Sequence, residues 1–178
     1  MSLTPWKILN SEYVHPRFRV DTVEIANGKV FRPFVFESRN WANVLALTKD
    51  NEAVLVRQYR HGIQKMSLEL PGGIVEDGED PLEGARRELL EETGYSAGSI
   101  IEVGRIYPNP AIQDNTLFCY LATDVELTGQ QHFDETEEIE AHLVPLDELI
   151  EMARQGRFLH ALNVAVLFKA LLHLGRVR

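Results

Sequence analysis

Several features are scarce or missing in this sequence, and each absence excludes a class of protein. Cys119 is the only cysteine among 178 residues, so neither an intrachain disulfide nor a cysteine-based zinc site is possible. Basic residues are outnumbered, with 18 lysines and arginines against 27 acidic residues and a net charge of -9, which argues against nucleic acid as a partner. The longest apolar stretch, 161–174, contains Asn163, Lys169 and His173 and is too polar and too short to cross a bilayer. We therefore expect a soluble protein without nucleic acid or membrane partners.

What is present is the composition of an ordinary globular protein. Hydrophobic residues make up 44% and charged residues 25% of the chain, close to the averages for soluble domains. The length fits one domain over 1–178, with an N-terminal strand region over 1–40 and a larger core over 41–178. Residues 1–10 lack the basic segment and apolar run of a secretory signal, so we expect a cytoplasmic location.

The pattern along the chain predicts more strands than helices. Asn27-Gly28 is a dipeptide suited to a type I′ hairpin turn between two early strands. The expected strands cover 18–25, 29–36, 44–48, 53–57, 100–107, 116–122 and 138–144. A short helix is expected near Pro145 and a longer one over 158–174. Because strands and helices do not alternate regularly, we expect an α+β protein or an α/β/α sandwich.

One further helix, over 81–93, has unusually clear boundaries. Asp80 suits the N-cap, Pro81 the first helical position, and Gly94 the left-handed residue that ends a helix. Within it, Glu88, Glu91 and Glu92 lie on neighbouring positions of one face. Like charges at this spacing destabilise a helix by a few tenths of a kcal/mol per pair, roughly. Such a cluster is either a solvated acidic face or a site for a hard divalent cation.

The surrounding sequence favours the cation site. From Gly73 it reads GIVEDGEDPLEGARRELLEETGY, which resembles the Nudix box: Gly, five residues, Glu, seven residues, then Arg-Glu-aliphatic-x-Glu-Glu-x-Gly-hydrophobic. Tyr95 replaces the usual aliphatic residue at the last position. The box positions are filled in register by Gly73, Glu79, Arg87, Glu88, Leu89, Glu91, Glu92 and Gly94.

The resemblance implies the Nudix fold, an α/β/α sandwich with a mixed central sheet and here an N-terminal antiparallel strand region. It also implies a catalytic core that hydrolyses a diphosphate linked to another moiety, with Mg²⁺ or, as a substitute, Mn²⁺. Arg87 would then orient the glutamates and Glu79 would brace the loop. The implied metal ligands are the carbonyl of Gly72 and the carboxylates of Glu88, Glu91 and Glu92, with Glu91 also a candidate catalytic residue.

Two further segments resemble ADP-ribose and nucleoside diphosphate sugar pyrophosphatases. Upstream of the box, Val56-Arg57-Gln58-Tyr59-Arg60 and Leu68-Glu69-Leu70-Pro71-Gly72-Gly73 are similar to this subfamily. Downstream, Pro110 matches its proline, although Ala111 stands where glycine is usual and Asp114 matches the expected acidic residue only loosely. The resemblance implies substrate binding by Arg57, Arg60, Glu69 and Pro110.

An acidic segment resembles the loop that supplies a catalytic carboxylate in this subfamily. It reads Asp134-Glu135-Thr136-Glu137-Glu138-Ile139-Glu140. Glu135 and Glu137 are both candidates for the general base, and Glu137 is also a candidate metal ligand. The sequence does not choose between them.

The resemblance therefore predicts a homodimeric hydrolase that splits a nucleoside diphosphate sugar into a nucleoside monophosphate and a sugar phosphate. ADP-ribose is the leading substrate, followed by compounds such as GDP-mannose and ADP-glucose. A nucleoside triphosphate or dinucleoside polyphosphate hydrolase is the alternative enzyme. A nucleotide sensor without turnover is the alternative of another class, and the intact glutamates argue against it.

Overall fold

The computed structural model describes residues 4–131 and 138–177. The chain divides into two compact units, Met1–Arg39 with Tyr107–Thr116 and Asn40–Ile106 with Leu117–Arg178. The described residues form thirteen strands and three helices: β1 (Lys7–His15), β2 (Phe18–Glu24), β3 (Val30–Phe31), β4 (Phe34–Phe36), β5 (Trp41–Leu47), β6 (Glu52–Arg60), β7 (Lys65–Glu69), β8 (Gly72–Ile74), α1 (Pro81–Thr93), β9 (Tyr95–Ser96), β10 (Ser99–Ile106), β11 (Leu117–Thr123), β12 (Glu126–Leu127), β13 (Ile139–Pro145), α2 (Leu146–Arg154) and α3 (Ala161–His173).

The second unit is built on a seven-stranded mixed sheet. Five of its strands lie in the order β10-β11-β5-β6-β13, while β7 pairs with β6 and β8 with β5. β11 and β5 run parallel, and the other pairs in this sheet are antiparallel. The mixed sheet predicted from the sequence is therefore confirmed. Because β8 pairs with β5, the glycines that precede α1 are fixed against the centre of the sheet.

Helices cover both faces of this sheet, as the sandwich prediction requires. Successive residues of β5 point to opposite faces: Leu45 belongs to a buried cluster with α3, and Val44 to a second cluster with Leu89 of α1. Both β5 side chains are fully buried. The central strand is apolar on both faces because each face packs against a helix. No helix in the described ranges is long and apolar enough to span a membrane.

The first unit carries a four-stranded antiparallel sheet in which β2 pairs with β1, β3 and β4. Pro33 separates β3 from β4, because proline lacks the N–H that a continuous ladder needs. The turn at Asn27-Gly28 is not type I′, since Gly28 has φ 79° and Asn27 is not among the described residues with positive φ. Instead, the Asn27 side chain accepts a hydrogen bond from the backbone N–H of Lys29 at 3.0 Å.

The ends of α1 are those that the sequence predicts. The Asp80 carboxylate accepts a hydrogen bond from the N–H of Leu82 at 2.8 Å, and Pro81 begins the helix. Gly94 ends it with φ 75° and donates its N–H to the carbonyl of Leu90. A Cβ at Gly94 would lie 2.8 Å from the backbone oxygen of Gly129. Gly94 is thus required both for its conformation and for the close approach of a second segment.

We expect Gly94→Ala to lower the free energy of unfolding by more than 1 kcal/mol, roughly, because it adds a backbone clash to the cost of a positive φ. Two matched controls separate these effects in urea denaturation. Gly156 has φ 67° with open space around it, and Gly62 has neither restriction. Gly156→Ala should show the conformational cost alone and Gly62→Ala almost none. A Gly94 variant no less stable than the Gly156 variant would refute the packing argument.

Candidate active site

The second unit contains a cavity of about 680 Å³ on the side of the sheet where β8 meets α1. Its lining carries five glutamates and two arginines. They are Arg60, Glu69, Glu76, Arg87, Glu88, Glu91 and Glu92. Acidic groups therefore exceed basic groups in a confined space, where charges interact more strongly than in water.

Glu92 anchors α1 to Gly72, the residue directly before the box. Its side chain is nearly buried, at 7% exposure, and its Oε2 accepts a hydrogen bond from the N–H of Gly72 at 2.8 Å. Gly72 has φ 150°, and a Cβ there would lie 2.2 Å from the backbone oxygen of Ala42. Only glycine allows the chain to pass this close to β5 while donating to Glu92.

Arg87 is the centre of the ionic network in this cavity. Its guanidinium pairs with both carboxylate oxygens of Glu79, at 2.9 and 3.1 Å. Nη1 also donates to Glu88 at 2.8 Å and to Glu91 at 3.0 Å. Nη2 donates to the carbonyl of Ile74 at 2.9 Å. One side chain thus holds three carboxylates and the backbone of β8 in a fixed arrangement.

The pKa values reflect this network. The hydrogen bonds from Arg87 hold the pKa of Glu79 below its usual value, since they favour the charged carboxylate. In return, the hydrogen bond to Glu79, together with those to Glu88 and Glu91, raises the pKa of Arg87 above its usual value despite partial burial. Both groups are ionised at neutral pH.

A second ion pair forms another part of the wall. Arg60, at the end of β6, donates to both carboxylate oxygens of Glu69, at 2.9 and 2.6 Å. Glu69 is 1% exposed, whereas 43% of the Arg60 side chain is exposed. Burial raises the pKa of Glu69, but the hydrogen bonds from Arg60 and Ser67 outweigh it and leave this pKa below its usual value. Glu69 therefore stays ionised although its side chain is almost completely buried.

The structure brings together most of the residues that the sequence singled out. The cavity is lined by Arg60, Glu69, Gly72, Arg87, Glu88, Glu91 and Glu92. Arg57 is not in this lining, because neighbouring residues of β6 face opposite sides of the sheet. Its Nη1 lies 3.9 Å from the Glu140 carboxylate. Pro110 lies exposed in the first unit, and Glu135 and Glu137 lie outside the described residues.

Sequence reasoning missed several polar residues of the lining. Asn43 comes from the centre of β5, whereas His160 and Asn163 lie at the start of α3. No motif marks these positions, because they are distant in sequence from the box. Gln58 had a signal: it precedes Arg60 by two residues on β6, so both side chains share one face.

The donor groups of the cavity fit a hard divalent cation. In the described ranges, no three acidic, histidine or cysteine side chains form a ready-made metal site, and Glu88 and Glu91 instead contact Arg87. Nevertheless, these two carboxylates, with Glu92 and the backbone of Gly72, offer the oxygen ligands that Mg²⁺ prefers. At Gly73 a Cβ would come within 2.7 Å of the Glu88 carboxylate oxygens, so glycine keeps the space beside this carboxylate open.

Comparison with known proteins identifies the family of this chain and agrees with its fold. The sequence pattern of the NUDIX domain matches residues 38–162, and the chain belongs to this family. It is 31% identical over 134 residues to an ADP-ribose pyrophosphatase of Bacillus subtilis, covering 75% of this chain and 72% of the relative. It is 30% identical over 172 residues to a GDP-mannose pyrophosphatase of Salmonella arizonae, covering 90% of each. A crystal structure of an ADP compounds hydrolase superposes with a TM-score of 0.85 at 26% identity, covering 99% of this chain and 100% of that one.

We expect Glu69→Gln to lower the free energy of unfolding at pH 7 by about 1–3 kcal/mol, because it removes the buried partner of Arg60. The folded pKa of Glu69 is depressed below its ordinary value of 4.5. Its stabilising contribution is therefore present above that value and is lost as the pH falls through the folded pKa. The difference between wild type and variant should thus shrink from pH 7 to pH 3.

Urea denaturation at both pH values measures this difference. Glu140→Gln is the matched control. The Glu140 side chain is 68% exposed, and its ion pair with Arg57 is long, at 3.9 Å. It should change the free energy of unfolding by less than about 0.5 kcal/mol at either pH. If wild type and Glu69→Gln differ in free energy of unfolding by the same amount at pH 3 and pH 7, the charge of the Glu69 carboxylate does not stabilise the fold.

Proposed function

We propose that this protein hydrolyses the pyrophosphate bond of a nucleoside diphosphate sugar, giving a nucleoside monophosphate and a sugar phosphate. The observation that carries the proposal is the excess of carboxylates in the cavity, where both arginines already contact glutamates. Such a site repels a bare diphosphate and attracts a divalent cation, which can in turn hold phosphate oxygens. The names of the relatives from Bacillus subtilis and Salmonella arizonae support this substrate class, with ADP-ribose as the first candidate.

The proposed metal ligands are the carboxylates of Glu88, Glu91 and Glu92 and the carbonyl of Gly72. When bound, Mg²⁺ or Mn²⁺ would neutralise phosphate charge and lower the pKa of a coordinated water. Arg87 holds the carboxylates of Glu88 and Glu91 close together, although their negative charges repel each other. Arg60 lines the cavity and 43% of its side chain is exposed; we propose that it binds a phosphate oxygen.

The proton of the attacking water needs an acceptor. We assign this role to Glu135 or Glu137, with Glu91 as the candidate within the cavity. Glu137 is also a possible further metal ligand, and Arg57 and Pro110 are proposed to contact substrate. Replacing the true base by Gln should lower kcat far more than it raises KM, because the base acts mainly in the transition state.

A substrate panel tests the proposed function directly. The protein is incubated with ADP-ribose, GDP-mannose, ADP-glucose, ATP and diadenosine polyphosphates, with Mg²⁺ and with Mn²⁺, and the products are identified by chromatography. We expect a nucleoside monophosphate and a sugar phosphate from at least one nucleotide sugar, at a higher kcat/KM than for ATP. Preferred cleavage of ATP or of the dinucleotides would replace this function by the alternative one.

Glu92→Gln should lower kcat on the preferred substrate by at least about 100-fold, the scale of a lost electrostatic contribution to catalysis. The variant should still fold, because a glutamine oxygen can accept the hydrogen bond from Gly72. Glu83→Gln is the matched control on the same helix, since the Glu83 side chain is 66% exposed and its carboxylate lies 3.7 Å from Arg86. Equal kcat values for the folded Glu92 variant and this control would exclude Glu92 from catalysis.

We also propose a homodimer formed through the first unit. All nine residues of β1 are exposed, and β1 is an edge strand. Large apolar side chains of this unit are also exposed, among them Trp6, Ile8, Tyr13 and Phe34. Exposed edges and apolar patches of this kind usually bind a partner. The cytoplasmic location expected from the sequence remains a prediction.

Sedimentation equilibrium at micromolar concentration should therefore give twice the mass of one chain. Ile8→Lys, which places a charge in the exposed apolar strand, should shift the protein toward the monomer. A wild-type protein that is monomeric at this concentration would refute the proposed dimer.

A further inference from the structure

A gap in the cavity wall separates two polar groups that do not contact each other. The Oε2 atom of Glu69 lies 4.0 Å from the Nε2 atom of His160, which is too far for a hydrogen bond. Both residues line the cavity. Glu69 is almost fully buried, whereas 31% of the His160 side chain is exposed. Because both residues line the cavity, a group that enters the cavity can approach both of these atoms.

An oxygen atom in the cavity, beside this pair and not on the line between the two atoms, can lie within hydrogen-bond distance of both. If this oxygen lies about 2.8 Å from both the Glu69 and the His160 atom, which are 4.0 Å apart, the angle at the oxygen between the two atoms is about 90°. One hydroxyl group can form both hydrogen bonds at such an angle, because its oxygen accepts one hydrogen bond while its proton donates another.

The hydrogen-bonding groups of His160 and Glu69 determine which ligand group can bind to both. The Nδ1 atom of His160 is buried and has no hydrogen-bond partner within the described part of the chain. A proton on Nδ1 would bury an unpaired N–H, which is unfavourable, so the neutral ring carries its proton on Nε2. Nε2 is therefore a donor, whereas the Glu69 carboxylate is an acceptor. A group that binds both must accept a hydrogen bond from His160 and donate one to Glu69.

A hydroxyl group meets this requirement and an ionised phosphate oxygen does not. A phosphate oxygen has no proton to donate and is repelled by the charge of Glu69. A water molecule can occupy the same place until a hydroxyl displaces it.

The two sides of the gap are held at a fixed separation. Asn163, one turn after His160 on α3, accepts a hydrogen bond from the N–H of Leu70 at 2.6 Å. Leu70 directly follows Glu69, whose carboxylate is also fixed by Arg60. The buried Asn163 thus joins the start of α3 to the end of β7, and the position is organised before any ligand binds.

We propose that the gap between Glu69 and His160 binds one hydroxyl of a substrate sugar, and that His160 is a specificity-determining residue. The inference rests on the proposed hydrolysis of a nucleoside diphosphate sugar and adds how a sugar is recognised. His160 Nε2 donates to the hydroxyl oxygen, and the hydroxyl donates to Glu69.

The test combines one protein change with one change in the substrate. Wild type, His160→Leu and the control His173→Leu are assayed on ADP-ribose and on analogues that each lack one ribose hydroxyl. His173 is exposed at the other end of α3, so the control makes the same substitution away from the cavity. Thermal unfolding of each variant checks that it is folded.

For wild type and the His173 control, we expect kcat/KM to fall by more than about tenfold on one analogue, because the missing hydroxyl removes a neutral hydrogen bond with His160 and a stronger one with the charged Glu69. His160→Leu should lose about five- to tenfold on ADP-ribose, the size of one neutral hydrogen bond, and should lose less than wild type does on going from ADP-ribose to that analogue, because only the contact with Glu69 is left to remove. His160→Gln, which keeps a side-chain donor, should again discriminate between the two substrates.

Two results would overturn the hydroxyl contact while leaving the proposed function intact. One is a His160→Leu variant that cleaves ADP-ribose as well as wild type. The other is a variant that loses activity by the same factor on the parent and on every analogue, since this indicates a general structural role. A wild-type protein that cleaves no nucleotide sugar in the panel would instead refute the proposed function, and with it this assignment.

Discussion

The contact between Arg87 and three glutamates is the interaction on which the site depends. Glu88 and Glu91 lie next to each other on α1, where their charges repel, and Glu79 comes from the loop before the helix. The Arg87 guanidinium binds all three carboxylates and the carbonyl of Ile74. Five donors in one plane suit this task, which a lysine ammonium would not perform. Loop, helix and strand are therefore fixed to each other by one side chain.

The position of Glu92 shows how the fold supports this arrangement. β8 pairs with β5, so the backbone of Gly72 is held against the central sheet, and its N–H binds the Glu92 carboxylate. The helix is thus tied to the sheet by a buried carboxyl group and not by apolar packing alone. Carboxylates concentrated in this way are unfavourable by themselves, which is consistent with a site shaped for a cation and an anionic substrate and not for maximal stability.

Local patterns predicted the parts of the molecule that depend on neighbouring residues. The ends of α1 follow from Asp80, Pro81 and Gly94, because capping requires residues only a few positions apart. The contact of Arg87 with Glu91 at 3.0 Å is equally local, because residues four positions apart are neighbours on a helix. The contacts of Glu69 with Arg60 and His160 depend instead on how β6, β7 and α3 pack. No spacing rule predicts that residues 69 and 160 lie 4.0 Å apart, nor that Asn163 holds the chain at Leu70.

We propose that the box glutamates form a cation site when Arg87 holds them in place. The most direct measurement is the binding of Mn²⁺ without substrate, followed by the electron paramagnetic resonance of the free ion. Wild type and Glu83→Gln should bind Mn²⁺ with the same affinity, whereas Glu88→Gln should bind it at least about tenfold more weakly, because it loses a charged oxygen ligand. A folded Glu88 variant that binds Mn²⁺ as tightly as wild type would contradict the account.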